Sequence, residues 1–155
     1  MPARHPKTAA ELGVTDRIEF VGALTHDALR AWYARAWVLA APSVVLSNGR
    51  RDGIPNVVIE AMAMGVPCVG TRAAGLEEAI VPGETGALAE PGNAESLADA
   101  IESLIETPAA LDRMAARARA RVARDFDAER NFERLLELFG VDAEPGLKGA
   151  AGTGG

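Results

Sequence analysis

Residues 52–65 read DGIPNVVIEAMAMG, a segment in which one carboxylate interrupts an apolar run. From Val57 to Met64 every residue except Glu60 is apolar, and this pattern predicts a helix that is buried on all sides. A carboxylate buried there without a partner costs several kcal/mol, so Glu60 must be paired, hydrogen-bonded or directed into a cavity. Two interpretations follow: Glu60 makes a local buried hydrogen bond, or it accepts hydrogen bonds from ligand hydroxyl groups.

The start of the same helix predicts an anion-binding site. Gly53, Ile54 and Pro55 form a tight turn, and Pro55 suits the first helical position. The backbone N–H groups at such an end lack helical acceptors and carry about half a positive charge, which attracts phosphate or carboxylate. Asp52 precedes this end and either caps the helix or contacts a ligand. A ligand with both phosphates and hydroxyl groups would match this end together with Glu60.

The segments on either side of this helix predict an α/β protein. Short apolar strands alternate with helices, which is typical of βαβ units and a parallel sheet. The predicted strands are 17–22, 38–41, 66–71 and 86–90. The predicted helices span about 27–36, 55–64, 76–80 and 108–126, with two more beginning after caps at Asn93 and Asp127. Ligands of such sheets bind at the carboxyl ends of the strands, here the loops 22–25, 42–53 and 71–75.

Composition and charge exclude several classes of protein. The formal charge of −6 disfavours nucleic acid as a partner. The single cysteine, Cys68, excludes an internal disulfide and a multi-cysteine metal cluster, and we expect no metal site. No apolar run is long enough to span a membrane, and the first residues lack the apolar core of a signal peptide. We therefore expect a cytoplasmic protein.

The C-terminal third of the chain carries a basic helix and then a tail. The helix contains five arginines: Arg113, Arg117, Arg119, Arg121 and Arg124. A solvated face is the usual interpretation, and peripheral contact with an anionic membrane at its inner face is the alternative. From about Gly140 the chain is rich in glycine and alanine. We expect a domain over 1–140 and a flexible tail over 141–155.

The central segment resembles the signature of the family-four glycosyltransferases, which have the GT-B fold. The shared pattern is acid-Gly-x-Pro-x-x-x-x-Glu-Ala-Met-Ala-x-Gly-x-Pro-x-Val. The family has two acidic residues with seven between them, and Asp52 and Glu60 have this spacing. Further matches in the same order are Phe20-Val21-Gly22, Ala41-Pro42-Ser43, Ala74-Gly75 and Gly83-Glu84-Thr85-Gly86. The similarity extends over about 11–139 and implies a Rossmann-like parallel sheet, the C-terminal half of the fold.

The resemblance implies a donor-binding role for particular residues. Asp52, where the family more often has Glu, would be the catalytic acid that contacts the donor sugar. Glu60 would bind the ribose hydroxyls of the nucleotide. The donor-binding backbone would comprise Gly53, Ile54, Pro55, Asn56, Val57 and Val58, and the loops near Gly22 and Ser43 would contact the base. The donor would be a nucleoside-diphosphate sugar, and no cofactor or metal is implied.

The resemblance also implies what lies outside these residues. The family has an Arg and a Lys that bind the diphosphate, and an N-terminal domain that binds the acceptor, and we expect both to be missing here. The complete enzyme would transfer sugar with retention of configuration, for example in polysaccharide biosynthesis, and this chain alone would be inactive. Two alternatives remain: a fragment of a sugar-nucleotide epimerase, and a stand-alone nucleotide-sugar-binding or interaction module.

Overall fold

The computed structural model describes residues 4–44 and 53–140. These residues divide between two compact units, Met1–Trp32 and Tyr33–Gly155. Among the described residues, the first unit holds the helix Arg4–Glu11, the 3₁₀ turn Thr15–Arg17 and most of the helix His26–Tyr33. The second contains the sheet and the helices that cover it, and it therefore holds the segment around Glu60.

The sheet is parallel and, within the described residues, has three strands. Its strands are β1 (Leu39–Ala41), β2 (Cys68–Thr71) and β3 (Gly86–Ala89), in the order β1-β2-β3. The register pairs Leu39 with Cys68, and Cys68 with Gly86. All four residues of β2 are buried, as expected of a central strand that is covered on both faces. The α/β class and three of the four predicted strands are confirmed.

The prediction of a strand at 17–22, the first of the four along the chain, is wrong. A single 3₁₀ turn occupies Thr15–Arg17, and the residues after it form no strand. The apolar side chains that suggested a strand are exposed: Ile18 is 42%, Phe20 50% and Val21 40% accessible. Bulky β-prone residues favour a strand only where a neighbouring strand supplies hydrogen bonds and a packing surface. Among the described residues, no strand pairs with this stretch.

The helices agree with the sequence prediction except at the N-terminus. They are α1 (Arg4–Glu11), α2 (His26–Tyr33), α3 (Asn56–Ala63), α4 (Leu76–Ala79), α5 (Ala94–Ile105), α6 (Pro108–Asp125) and α7 (Ala128–Leu138). The side chain of Asn93 caps α5 by accepting a hydrogen bond from the Ser96 N–H at 3.0 Å. The side chain of Asp127 caps α7 in the same way, through the Arg130 N–H at 2.9 Å. The sequence pattern does not predict α1, which is largely exposed.

The core of the second unit forms where α5 and α6 meet the sheet. Val69 of β2 lies in one apolar cluster with Leu104 and Leu111. Burial of side chains of this size contributes about 1.5–3 kcal/mol each to stability. The cluster packs α5 and α6 against β2, whose pairing with β1 and β3 makes it the central strand. The single cysteine, Cys68, is also fully buried, and this burial raises the pKa of its thiol to about 12.

Helix α3 is buried on one face rather than on all sides, which corrects the prediction made from its apolar sequence. Val58, Ala61 and Met62 are fully buried against the sheet and α6. Val57 and Met64 are more than a third exposed. Because the helix packs through a single face, the opposite face, including part of Glu60, remains accessible to a ligand.

Candidate functional site

The amino end of α3 presents backbone donors toward solvent. Pro55 precedes the helix with φ −61° and ψ 129°, and no side chain among the described residues caps this end. The Val58 N–H donates to the Pro55 carbonyl at 2.9 Å. The N–H groups of Asn56 and Val57, the first two helical residues, have no acceptor within the helix. Both residues are exposed, so these two amides are the donors that the helix end offers to an anion.

Glu60 lies one turn further along α3 and has a partner that the sequence pattern does not reveal. The hydroxyl group of Tyr33 is 3.1 Å from Glu60 Oε2 and 3.3 Å from the Val57 carbonyl oxygen. Tyr33 is the last residue of α2 and is only 4% exposed. The periodicity of α2 places Tyr33 on the apolar face with Leu29 and Trp32. A hydroxyl group on an apolar face was the available signal, because a buried phenol needs an acceptor.

The hydroxyl group of Tyr33 stays protonated, and is therefore a hydrogen-bond donor, over the whole physiological range. Burial, followed by the hydrogen bond with Glu60 and its negative charge, raises the pKa of Tyr33 to about 12. The raised pKa means that the folded state favours the protonated phenol. The corresponding stabilisation is complete below about pH 10, the unperturbed tyrosine value, and is lost as the pH rises toward 12. At neutral pH the hydroxyl group therefore donates and the carboxylate accepts.

Ser43, which follows β1, is hydrogen-bonded to Thr71, the last residue of β2. The Thr71 hydroxyl group donates to the Ser43 carbonyl, and the Ser43 N–H donates to the Ala41 carbonyl at 2.9 Å. Thr71 is only 2% exposed, so its hydroxyl group is buried together with this acceptor. These bonds hold Ser43, a predicted contact of the base, at the carboxyl edge of the sheet.

The start of α4 lies beside the residues that lead into α3. A Cβ atom added to Gly75 would come within 3.3 Å of Ile54 Cγ1 and 3.7 Å of the Ile54 backbone nitrogen. Gly75 also has φ +70°, which disfavours any residue with a side chain. Glycine at this position permits the close approach of the two backbones. The loops after β1 and β2 and the start of α3 thus meet at one edge of the sheet.

The structure brings together only part of the predicted site. Ile54, Pro55, Asn56, Val57 and Glu60 occupy one short segment at the carboxyl edge. Gly53 adjoins them as the first residue described after the gap. The side chain of Val58 is fully buried, and its N–H is bonded to Pro55, so it offers no donor to a diphosphate.

Two predicted residues cannot be placed in this segment. The predicted catalytic residue Asp52 lies outside the described residues. Gly22 belongs to the unit Met1–Trp32 and has φ +67°, and its assignment to the base-binding loops stays a prediction.

The basic helix α6 is partly engaged within the protein. Arg119 Nη2 donates to the Met64 carbonyl at 3.2 Å, just after α3 ends. Arg121 Nη2 donates to the Glu78 carbonyl of α4 at 2.6 Å. A cation at the carboxyl end of a helix interacts favourably with the helix dipole. These arginines therefore support the two helices whose amino ends border the candidate site. Contact of α6 with a membrane stays a prediction.

The described part of the chain offers no candidate for a metal site or for a membrane-spanning helix. Within 4–44 and 53–140, no group of three or more His, Cys, Asp or Glu side chains is arranged to bind a metal ion. None of the described helices combines the length and the apolar character needed to cross a membrane.

Comparison with solved structures places this fold among GT-B glycosyltransferases. Sucrose-phosphate synthase from Thermosynechococcus elongatus superposes with a TM-score of 0.77 at 31% identity, over 88% of this chain and 33% of that one. The Anabaena protein HepE, solved in complex with UDP-glucose, superposes with a TM-score of 0.74 at 25% identity, over 86% of this chain and 35% of that one.

The sequence comparison identifies the family. The model for the glycosyl transferases group 1 family matches residues 2–107, and the chain belongs to this family. A similar relative is the amylovoran biosynthesis glycosyltransferase AmsK of Erwinia amylovora, which is 30% identical over 134 residues, or 86% of this chain and 33% of the relative. The chain spans about a third of the length of each of these three proteins.

Proposed function

We propose that this chain is the donor-binding part of a glycosyltransferase that moves a sugar from a nucleoside diphosphate to an acceptor with retention of configuration. The observation that carries the proposal is the position of Glu60 in α3. Glu60 lies one turn beyond the amides of Asn56 and Val57, which have no acceptor within the helix, in a chain that belongs to the group 1 glycosyltransferases. A nucleoside diphosphate has an anion and neighbouring ribose hydroxyls, and this arrangement matches both.

Each part of the donor has a corresponding group. The diphosphate would accept hydrogen bonds from the amides of Asn56 and Val57, where the helix dipole favours negative charge. The ribose hydroxyls would donate to the carboxylate of Glu60. The sugar would lie toward Gly53 and Asp52, the acid at the first position of the family pattern. As the glycosidic bond breaks, charge grows on the leaving diphosphate, and preorganised donors at the helix end would stabilise it.

We further propose that transfer requires a second domain. Active sites of the GT-B fold lie between two domains, as the resemblance implies, and the chain matches about a third of the length of its relatives. The second domain would supply the acceptor site and the cationic side chains that bind the diphosphate. A role in polysaccharide biosynthesis is supported by the similarity to an amylovoran biosynthesis glycosyltransferase. A stand-alone binding module would share the donor site and differ only in having no transferase partner.

Calorimetric titration of the purified chain with UDP-, GDP- and ADP-sugars tests the proposal. We expect saturable binding of at least one donor, with competition by the matching nucleoside diphosphate and none by the free sugar. We also expect no transfer to oligosaccharide acceptors when the chain is assayed alone. Failure to bind any of the three donor classes would contradict the proposal. Transfer by the isolated chain would contradict the requirement for a second domain.

A further inference from the structure

Tyr33 contacts both parts of the proposed donor site. Its hydroxyl group lies 3.1 Å from Glu60 Oε2, the carboxylate assigned to the ribose. It also lies 3.3 Å from the carbonyl oxygen of Val57, whose N–H is one of the two amides at the helix end that have no acceptor within the helix. Tyr33 is buried at the end of α2, and this position fixes its ring. One rigid side chain therefore touches the helix turn that would bind the diphosphate and the acid that would bind the ribose.

The hydroxyl group has one proton, and the stronger of the two acceptors receives it. A charged carboxylate is a stronger acceptor than a peptide carbonyl, and hydrogen bonds to it are shorter and stronger. The distance to Glu60 is also the shorter of the two distances. A carboxylate offers about four lone-pair sites, so one bond from Tyr33 does not exhaust its acceptor capacity. The Tyr33–Glu60 bond and a ribose contact are therefore compatible.

We propose that Tyr33 is a positioning residue that holds the carboxylate of Glu60 in the orientation in which it accepts the ribose hydroxyls. This inference rests on the function proposed above for Glu60. A glutamate side chain has three rotatable bonds, and a ligand that must order them binds less tightly. Because Tyr33 is itself fixed by burial, its bond to Glu60 supplies this order before the nucleotide arrives. Tyr33 does not touch the ligand in this account and acts only through Glu60.

A comparison of ribose and deoxyribose ligands separates positioning from a purely structural role. The probes are UDP, GDP and ADP with their 2′-deoxy forms, and the pair that binds most tightly is used. The wild-type chain should prefer the ribose form by about tenfold, the value of one hydrogen bond to a charged group. Tyr33→Phe keeps the buried ring and removes the donor. It should weaken the ribose form by about fivefold and the 2′-deoxy form by less than twofold.

The controls distinguish failure of this inference from failure of the proposed function. Tyr33→Phe in a Glu60→Gln background should add no further loss, because the residue acts through Glu60. Equal weakening of both ligand forms by Tyr33→Phe, or no weakening of either, would overturn the positioning role. If the wild-type chain itself binds the two forms equally, the ribose contact assigned to Glu60 is wrong, and the proposed function fails at that point first.

A second readout reports the contact without any ligand. Tyr33 is the only tyrosine in the chain, so the ultraviolet absorbance of phenolate follows this residue alone. Part of the rise of its pKa to about 12 comes from the hydrogen bond with Glu60 and its charge. Glu60→Gln should therefore lower the pH midpoint of the Tyr33 titration toward the ordinary tyrosine value. The midpoint should not reach that value, because Tyr33 remains buried. Glu102→Gln, on an exposed position of α5, should leave the midpoint unchanged. An unchanged midpoint in Glu60→Gln would overturn the contact.

Discussion

Glu60→Ala should weaken the binding of the nucleoside diphosphate by on the order of 100-fold, the largest effect that we expect on ligand binding. Each hydrogen bond from a ribose hydroxyl to a carboxylate contributes about 1.5 kcal/mol or more, and two such bonds correspond to about two powers of ten in affinity. Calorimetry or ligand-induced stabilisation measures the change. The effect should be much smaller for a ligand without ribose, such as inorganic diphosphate, which uses only the helix end.

The controls for this prediction are available in the same chain. The Tyr33 hydroxyl group retains the Val57 carbonyl within 3.3 Å, so we expect Glu60→Ala to fold. Glu60→Gln keeps the size of the side chain and removes the charge, and it should fall between the wild type and Glu60→Ala. Glu102→Ala removes an exposed carboxylate from α5 and should leave affinity unchanged. Wild-type affinity in Glu60→Ala would show that this acid is a structural residue.

Gly86→Ala should produce the largest loss of stability. Gly86 is the first residue of β3 and is paired with Cys68 of the buried strand β2. A Cβ atom at this position would lie only 1.9 Å from the Cys68 carbonyl oxygen and 3.0 Å from the carbonyl carbon. These are backbone atoms of the central strand, so the contact is relieved only by separating β2 from β3. Overpacking of a core costs about 1–3 kcal/mol, and we expect a loss near the upper end, at about 3 kcal/mol.

Urea denaturation measures this loss as a change in the free energy of unfolding. Gly92→Ala is the matched control in the same compact unit. Gly92 has φ +72° and nothing within 4 Å of an added Cβ, so only the backbone conformation opposes the substitution. Placing alanine in this left-handed backbone conformation costs about 1 kcal/mol of stability. Equal losses in the two variants would mean that β2 and β3 are not held at the observed separation.

The parts of the fold that could be predicted depend on local signals. The caps of α5 and α7 follow from single residues, Asn93 and Asp127, whose side chains bond three positions along the chain. Strand β2 is four consecutive buried residues and could be identified from its apolar composition alone. Segment 17–22 also contains bulky β-prone residues, Ile18, Phe20 and Val21, and forms no strand. Composition indicates what a strand would bury, whereas strand formation also requires a neighbour in the sheet.

The candidate site shows the same division between local and long-range information. The spacing of the acids and the proline before α3 identify the helix end and Glu60, since these features lie within one segment. The Tyr33–Glu60 bond joins residues 27 positions apart, and no periodicity in α2 or α3 specifies it. The burial of α3 on one face likewise depends on how α6 and the sheet pack against it. The sequence could therefore single out the helix end and Glu60 as candidates, but not the contact between Tyr33 and Glu60.

A crystal structure of this chain with the tightest-binding nucleoside diphosphate tests the central claim most directly. We expect ribose hydroxyl oxygens within about 3 Å of the Glu60 carboxylate and diphosphate oxygens at a similar distance from the amides of Asn56 and Val57. The Tyr33 hydroxyl group should remain bonded to Glu60 in the complex. A nucleotide bound elsewhere on the chain, or bound here with Glu60 touching only Tyr33, would contradict the account.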